Sequence, residues 1–229
     1  MLFRALALLI LSVNLFGCVS QPQAPIKFDS STFEKEEKRI GIVMSAVPQP
    51  NLSLPGAECL LCIAVASAAN SGLSSYVETL SNKEVAELKQ VLADRLKEQS
   101  KDFVLINGSI NVSELPKVKS ELPNAAKRNF SKFAQQHKVE QLLVVDIQRL
   151  GAIRSYASYI PTSDPMAHIV GEAYIVDIKT NTYAWFMPID IKKSSEGMWQ
   201  EPPEYPGLTN AYYQLIDNLR DSLIAPFSS

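Results

Sequence analysis

The chain has 229 residues, of which 46% are hydrophobic, 20% charged and 8% aromatic, with 22 basic against 24 acidic side chains. That is enough apolar material for one packed domain of about 200 residues, or two small ones, and it is unlike the composition of a disordered chain. A net charge of −2 supplies no basic field for nucleic acid, and three cysteines are too few for a disulfide scaffold.

Residues Met1 to Cys18 read MLFRALALLILSVNLFGC. Arg4 and the terminal amine form a positive n-region, and Ala5 to Phe16 an uncharged, Leu-rich run too short to cross a bilayer comfortably. Leu15-Phe16-Gly17-Cys18 resembles the lipobox of bacterial lipoproteins, although Phe16 is bulkier than the residue usual there. The resemblance implies a signal peptide over residues 1–17, cleavage before Cys18, and acylation of Cys18 that anchors the chain in a lipid bilayer. Several acyl chains hold firmly, at about 0.8 kcal/mol per buried CH₂. In that family an Asp after the cysteine retains the protein in the inner membrane. Val19 stands here, so the expected location is the outer membrane, lipid-anchored and facing the periplasm. Val19 to Lys38, with Pro22, Pro25 and the charged Glu34 to Lys38, is expected to be a flexible tether over residues 18–38, leaving 39–229 as the domain.

Ile40 to Met44 is an apolar run expected to form a buried strand, and Pro48, Pro50 and Pro55-Gly56 then break the chain. Between Arg39 and Glu78 the sole charged residue is Glu58. Inside this stretch Cys59 to Ala69 is apolar and small, expected to be a core helix or buried loop; the sharper alternative is a surface that meets another subunit, since Ala64 and Ala68 would allow close helix approach. Ser81-Asn-Lys-Glu84 has the pattern of a capping box, followed by Val85, Leu88, Leu92 and Leu96 at helical spacing. Phe103 to Ile106 with Asn107-Gly108 reads as a strand and turn, Asn124 to His137 as a helix, and Gln141 to Ile147 as a buried strand. Alternation from Ile169 to Ile191 about Asp177-Ile-Lys-Thr-Asn181 predicts an antiparallel hairpin. Pro202, Pro203 and Pro206 lead into a last amphipathic helix carrying Leu208, Tyr212, Leu215, Leu219 and Leu223. The expected fold is therefore mixed α/β: a single mixed sheet of about five strands with three packed helices, in the order β-α-β-α-β-β-β-α.

This order, with Val145-Asp146-Ile147 and Val176-Asp177-Ile178-Lys179-Thr180, resembles the periplasmic α/β domains of the TolB amino-terminal, LpoB and CsgG type. Those domains usually place Gly after the Thr, where this chain has Asn181, which also tolerates positive φ. The resemblance implies an envelope protein that binds other proteins or itself, rather than an enzyme.

Sites of chemistry are few. Cys59 and Cys62 form Cys-Leu-Leu-Cys, for which a structural disulfide or two buried thiols is the expectation and a thiol-redox pair the alternative. Zinc would need two further ligands, and no second Cys pair exists, so no metal or other cofactor is expected. His137 and His168 stand in no catalytic spacing, and Asp146 and Asp177 each look like the end of a strand, where Asp turns or caps the chain. No P-loop, G-x-G-x-x-G, G-x-S-x-G or H-E-x-x-H is present. Leu60, Leu61, Ala64, Ala68, Tyr156, Tyr159, Trp199 and Tyr205 are the candidate interface, because Tyr and Trp add contact area with little entropy loss. The expected role is an adaptor or subunit of an envelope assembly, in contact with an envelope protein or a second copy and with no nucleic acid. A redox enzyme using Cys59 and Cys62, and a small-ligand or lipid-binding module with a large apolar pocket, are the alternatives.

Overall fold

The computed structural model describes residues 22–30, 33, 37–99 and 101–228. The expected signal peptide and Cys18 lie outside the described residues. The elements in chain order are β1 (Ile40–Met44), β2 (Asn51–Ser53), α1 (Leu60–Ala69), α2 (Ser71–Val77), α3 (Lys83–Glu98), β3 (Phe103–Leu105), α4 (Ser131–His137), β4 (Gln141–Ile153), β5 (Tyr156–Ala157), β6 (Ile160–Pro161), β7 (Met166–Asp177), β8 (Thr182–Ser194) and α5 (Pro206–Ile224). The mixed α/β expectation holds, with a six-stranded main sheet in place of about five strands.

The sheet runs β3-β1-β4-β7-β8, and β2 pairs the far half of β4. Ile40 to Met44 are all buried, and β1 lies parallel to both β3 and β4. Parallel neighbours need crossovers, which α3 supplies between β1 and β3 and α4 between β3 and β4. β4, β7 and β8 then form an antiparallel meander. Alternation along it divides the core. Leu143, Val145, Ala173, Ile175 and Trp185 face the long helices α3 and α5, while Leu142, Val144, Tyr174, Val176 and Phe186 face α4 and the connection before it.

Val85, Leu88, Leu92 and Leu96 are buried in α3, as are Leu208, Tyr212, Leu215, Leu219 and Leu223 in α5. The two helices are pinned by Tyr212, whose hydroxyl donates to the Ser81 carbonyl at 2.7 Å. The expected capping box is replaced by a looser arrangement: Asn82 rather than Ser81 is the N-cap, the Lys83 N–H donates to Ser81 Oγ at 3.2 Å, and that hydroxyl donates to the Glu84 carboxylate at 2.8 Å.

Several expectations are corrected. The helix expected from Asn124 begins only at Ser131, because Asn181 takes the backbone groups it would have used. The Ala126 N–H donates to the Asn181 carbonyl, and the Asn181 amide donates to the carbonyls of Ala126 and Arg128 at 3.2 and 3.0 Å. Asn181 itself has φ 53°, the conformation its turn position called for. Asp146 does not end its strand: β4 continues to Ile153 through a bulge between Ile147 and Arg149, where the Ile147 N–H donates to Ser45 Oγ at 2.8 Å. Over residues 37–228, five α-helices stand among the described residues where three were expected, since α1 and α2 fill the stretch after the proline breaks.

Within the stretch expected to be a tether, Ile26, Phe28, Phe33 and Lys38 contact the folded body. Ile26 exchanges two backbone hydrogen bonds with Phe186, at 2.9 and 3.2 Å, on the edge of β8. The Phe28 ring lies 4.9 Å from Phe33 and 4.8 Å from Phe227, closing an aromatic cluster with Trp185. Lys38 Nζ sits 2.7 Å from the Asp177 carboxylate, whose oxygen also accepts from the Thr180 N–H at 3.1 Å. Burial opposes ionisation of Asp177, and the Lys38 and Thr180 hydrogen bonds outweigh it, so its pKa is lowered. A depressed folded pKa gives stability that is complete above the unfolded value of about 4 and is lost as pH falls through the acid range. Asp177→Asn is therefore expected to lower unfolding free energy by about 1–2 kcal/mol at pH 7, with the difference from wild type shrinking toward pH 2, as urea titrations at the two pH values would show.

Candidate functional site

Two regions gather unusual side chains. The first is the end of the sheet where β4 and β8 finish and β7 begins, set by the pairing of Ile153 with Met166 and of Met166 with Ser194. Here the uncharged stretch emerges at the surface rather than in the core, which corrects the core-helix expectation. Cys59 is the N-cap of α1, its Sγ accepting from the Cys62 N–H at 3.0 Å, and a disulfide joins the two residues. Cys62 is 5% exposed and packs with Ala57, Ala66 and Tyr156, whereas Cys59 is exposed. The bridge fixes the first turn, and that turn presents Leu60 at 90% and Leu61 at 72% exposure. Ile63, Val65, Ala64 and Ala68 continue the exposed surface. No single described helix is long and apolar enough to cross a membrane; α1 and α2 together have the length and composition but meet at 72°.

The bend between α1 and α2 is Asn70, 3% exposed and the hub of a polar network. Its amide nitrogen donates to the Ala66 carbonyl at 2.7 Å and to the Tyr156 hydroxyl at 2.6 Å. Its Oδ1 accepts from Arg154 Nη1 at 2.8 Å, and the Arg154 guanidinium lies over the Trp199 ring at 4.8 Å. The hub thus ties three segments, α1, the β5–β6 hairpin and the loop before α5. Those segments hold seven of the nine large apolar side chains exposed among the described residues, Tyr159, Ile160 and Met198 joining the four from α1. The apolar exposure is thus concentrated on segments held together at this end of the sheet, an apolar pole.

The structure sorts the candidate interface. Leu60, Leu61, Ala64, Ala68 and Tyr159 are exposed at this pole. Tyr156 is buried beneath it as a partner of Asn70 and presents no surface. Trp199 and Tyr205 are half-buried supports, Trp199 under Arg154 and Tyr205 against Tyr76 at 5.2 Å. Sequence reasoning missed Ile160, on the two-residue strand β6 beside Pro161, and Met198, in a loop beside Gly197, since neither lies in a periodic run that would mark its exposure.

The second region is a polar cleft of about 680 Å³ on the α4 side of the sheet. Asp146 on β4 stands directly opposite Glu172 on β7, so the carboxylate facing Asp146 across the strands is Glu172 rather than Asp177. Gly171, next in β7, allows the approach: a Cβ there would be driven into the Asp146 carbonyl oxygen and lie 3.1 Å from Ile147 Cα. Burial and then the Asp146 charge raise the Glu172 pKa, with Lys127 acting against them. Tyr183 is pushed up to about 12 by burial and by Glu172, and burial, with the neighbouring Tyr183, raises Tyr174 well above the usual phenol value. Lys127 and Arg128, from the connection before α4, also line the cleft, with Ser45, Asn111 and Ser113. The lining mixes these charged and polar groups with Ile110, Val112 and Ile147, unlike the large apolar pocket that the lipid-binding alternative called for. The histidines lie elsewhere: the Nε2 of His168 is 2.8 Å from the Asp190 carboxylate, and the His137 ring is 4.9 Å from Phe133. Among the described residues no group of His, Cys, Asp and Glu has a metal-binding arrangement.

No family model and no curated protein matches the chain. Among solved structures it is similar to protein XCC0632 from Xanthomonas campestris, with 12% identity over 82% of this chain and 81% of that chain and a TM-score of 0.39. It is similar to the hypothetical protein CT253 from Chlamydia trachomatis, with 11% identity over 83% and 98% of the two chains and a TM-score of 0.35. It is similar also to lipoprotein GNA1162 from Neisseria meningitidis, with 13% identity over 81% and 99% and a TM-score of 0.32. Likenesses at this level assign neither a family nor an activity to this chain.

Proposed function

We propose that this chain is a lipid-anchored protein of the bacterial outer membrane, facing the periplasm, that serves as an adaptor or subunit of an envelope assembly. The anchor rests on Leu15-Phe16-Gly17-Cys18 and Val19. The observation that carries the contact role is the exposure of Leu60 and Leu61 on a helix turn fixed by the Cys59–Cys62 bridge. Leaving a leucine side chain in water forgoes about 1.5–3 kcal/mol of burial, so a patch held rigidly open is a surface that a partner protein stabilises by covering. A photocrosslinking side chain introduced at position 61 is expected to give one discrete adduct in native membranes, at the mass of a second copy or of an envelope protein. Leu60→Ser in the same background is expected to reduce that adduct at least tenfold. A monomer with no adduct in membranes would sink this reading.

The exposed Cys59 at a helix N-cap, with Cys62 buried behind it, favours one second reading: thiol–disulfide exchange with a dithiol or disulfide partner protein. Cys62→Ser separates the two. Exchange would leave Cys59 trapped in a mixed disulfide that reductant releases, whereas a contact surface would keep the same non-covalent partner.

A further inference from the structure

We propose that the polar cleft between β4, β7 and the connection before α4 is a binding site for a small zwitterion, its ammonium toward Asp146, Glu172 and Tyr174 and its anionic group toward Lys127 and Arg128. The site lies midway along β4 and β7, apart from the apolar pole, and stands independently of the contact role.

Tyr174 points to a ligand. Its residue is 1% exposed, with the ring packed among Phe130, Tyr183 and Phe186. It lines the cleft, yet its hydroxyl has no hydrogen-bond partner among the described residues. The hydroxyl is therefore open to the cleft, free to donate to or accept from a molecule that enters it.

The charges around that hydroxyl define the entrant. Asp146 and Glu172 lie on adjacent strands at the same level, which sets their Cβ atoms about 5 Å apart. Lys127 and Arg128 come from the connection before α4, and the Leu115 carbonyl fixes Arg128 by accepting from Nη1 at 2.9 Å. A purely cationic ligand would meet the two bases, a purely anionic one the two acids, and an apolar one would strip water from all four without pairing them. A molecule carrying both signs pairs with both the acids and the bases. The volume of about 680 Å³ accommodates an amino acid or a short peptide.

The test is calorimetric titration of the full-length protein with alanine, dialanine and trialanine. Saturable binding is expected from at least one of them, and at least tenfold weaker binding from its N-acetylated and its amidated derivatives, each of which lacks one charge. Tyr174→Phe removes a hydroxyl that supports nothing in the fold. It is expected to leave the thermal midpoint unchanged while weakening binding at least tenfold, and Glu172→Gln is expected to do the same. Saturable heat from none of the three probes, equal binding by a singly charged derivative, or undiminished binding by folded Tyr174→Phe would each overturn the proposal.

Discussion

Asn70→Ala is expected to destabilise the protein by about 3–4 kcal/mol, because it leaves the Tyr156 hydroxyl and the Arg154 guanidinium without the partner they share. Each such loss costs about 1–3 kcal/mol where water cannot substitute, and Asn70 is nearly fully buried. The loss is local before it is global. α1, the β5–β6 hairpin and the Trp199 loop meet through this network and the small Ala57–Cys62–Ala66–Tyr156 cluster. Hydrogen exchange in α1 should therefore accelerate well beyond the factor seen in α3, whose leucines belong to the main core. Uniform acceleration in both helices would show that the pole is not a separate cooperative unit.

Gly171→Ala is expected to cost about 3 kcal/mol or more, since the added methyl meets the β4 backbone rather than a side chain able to swing aside. Strands β4 and β7 pair along nearly their whole length, and separating them at Asp146–Ile147 disturbs the bulge that Ser45 caps. Gly108→Ala is the control. Gly108 has φ +80° but open space around it, so that substitution should cost only about 1 kcal/mol of backbone strain. Urea unfolding of the two variants should separate them clearly; equal effects would mean that conformation, not close approach, accounts for Gly171. A folded Gly171→Ala protein should also show altered ligand binding, because Asp146 and Glu172 move apart.

Where hydrophobic period and local chemistry agree, the elements could be read directly from the chain. Ile40 to Met44, the leucines of α3 and α5, and the alternation around Asp177 to Asn181 each bury the side chains their spacing called for. The helix expected over Asn124 to Phe130 failed for a non-local reason: its backbone groups bond to Asn181, more than fifty positions away, and no local signal announces that competition. The sites divide in the same way. Cys59-Leu-Leu-Cys62 and its uncharged surroundings marked α1 as unusual, but the same composition suits a core helix, and only packing shows that the leucines face outward. Glu172 and Tyr174 carried no signal, because their meaning comes from register. Asp146 faces Glu172 across β4 and β7 only once those strands pair with a bulge after Ile147.

The sequence by itself determined the mixed α/β class, the antiparallel hairpin and its turn, and the leucine-bearing helices α3 and α5, since these follow from periodicity and residue conformational preference within a short window. The tertiary structure alone decided which side of α1 meets water, which carboxylates oppose each other, and that Ile26, Phe28 and Phe33 pack on the folded body. Each depends on contacts between residues distant in the chain, whose energies no local pattern encodes.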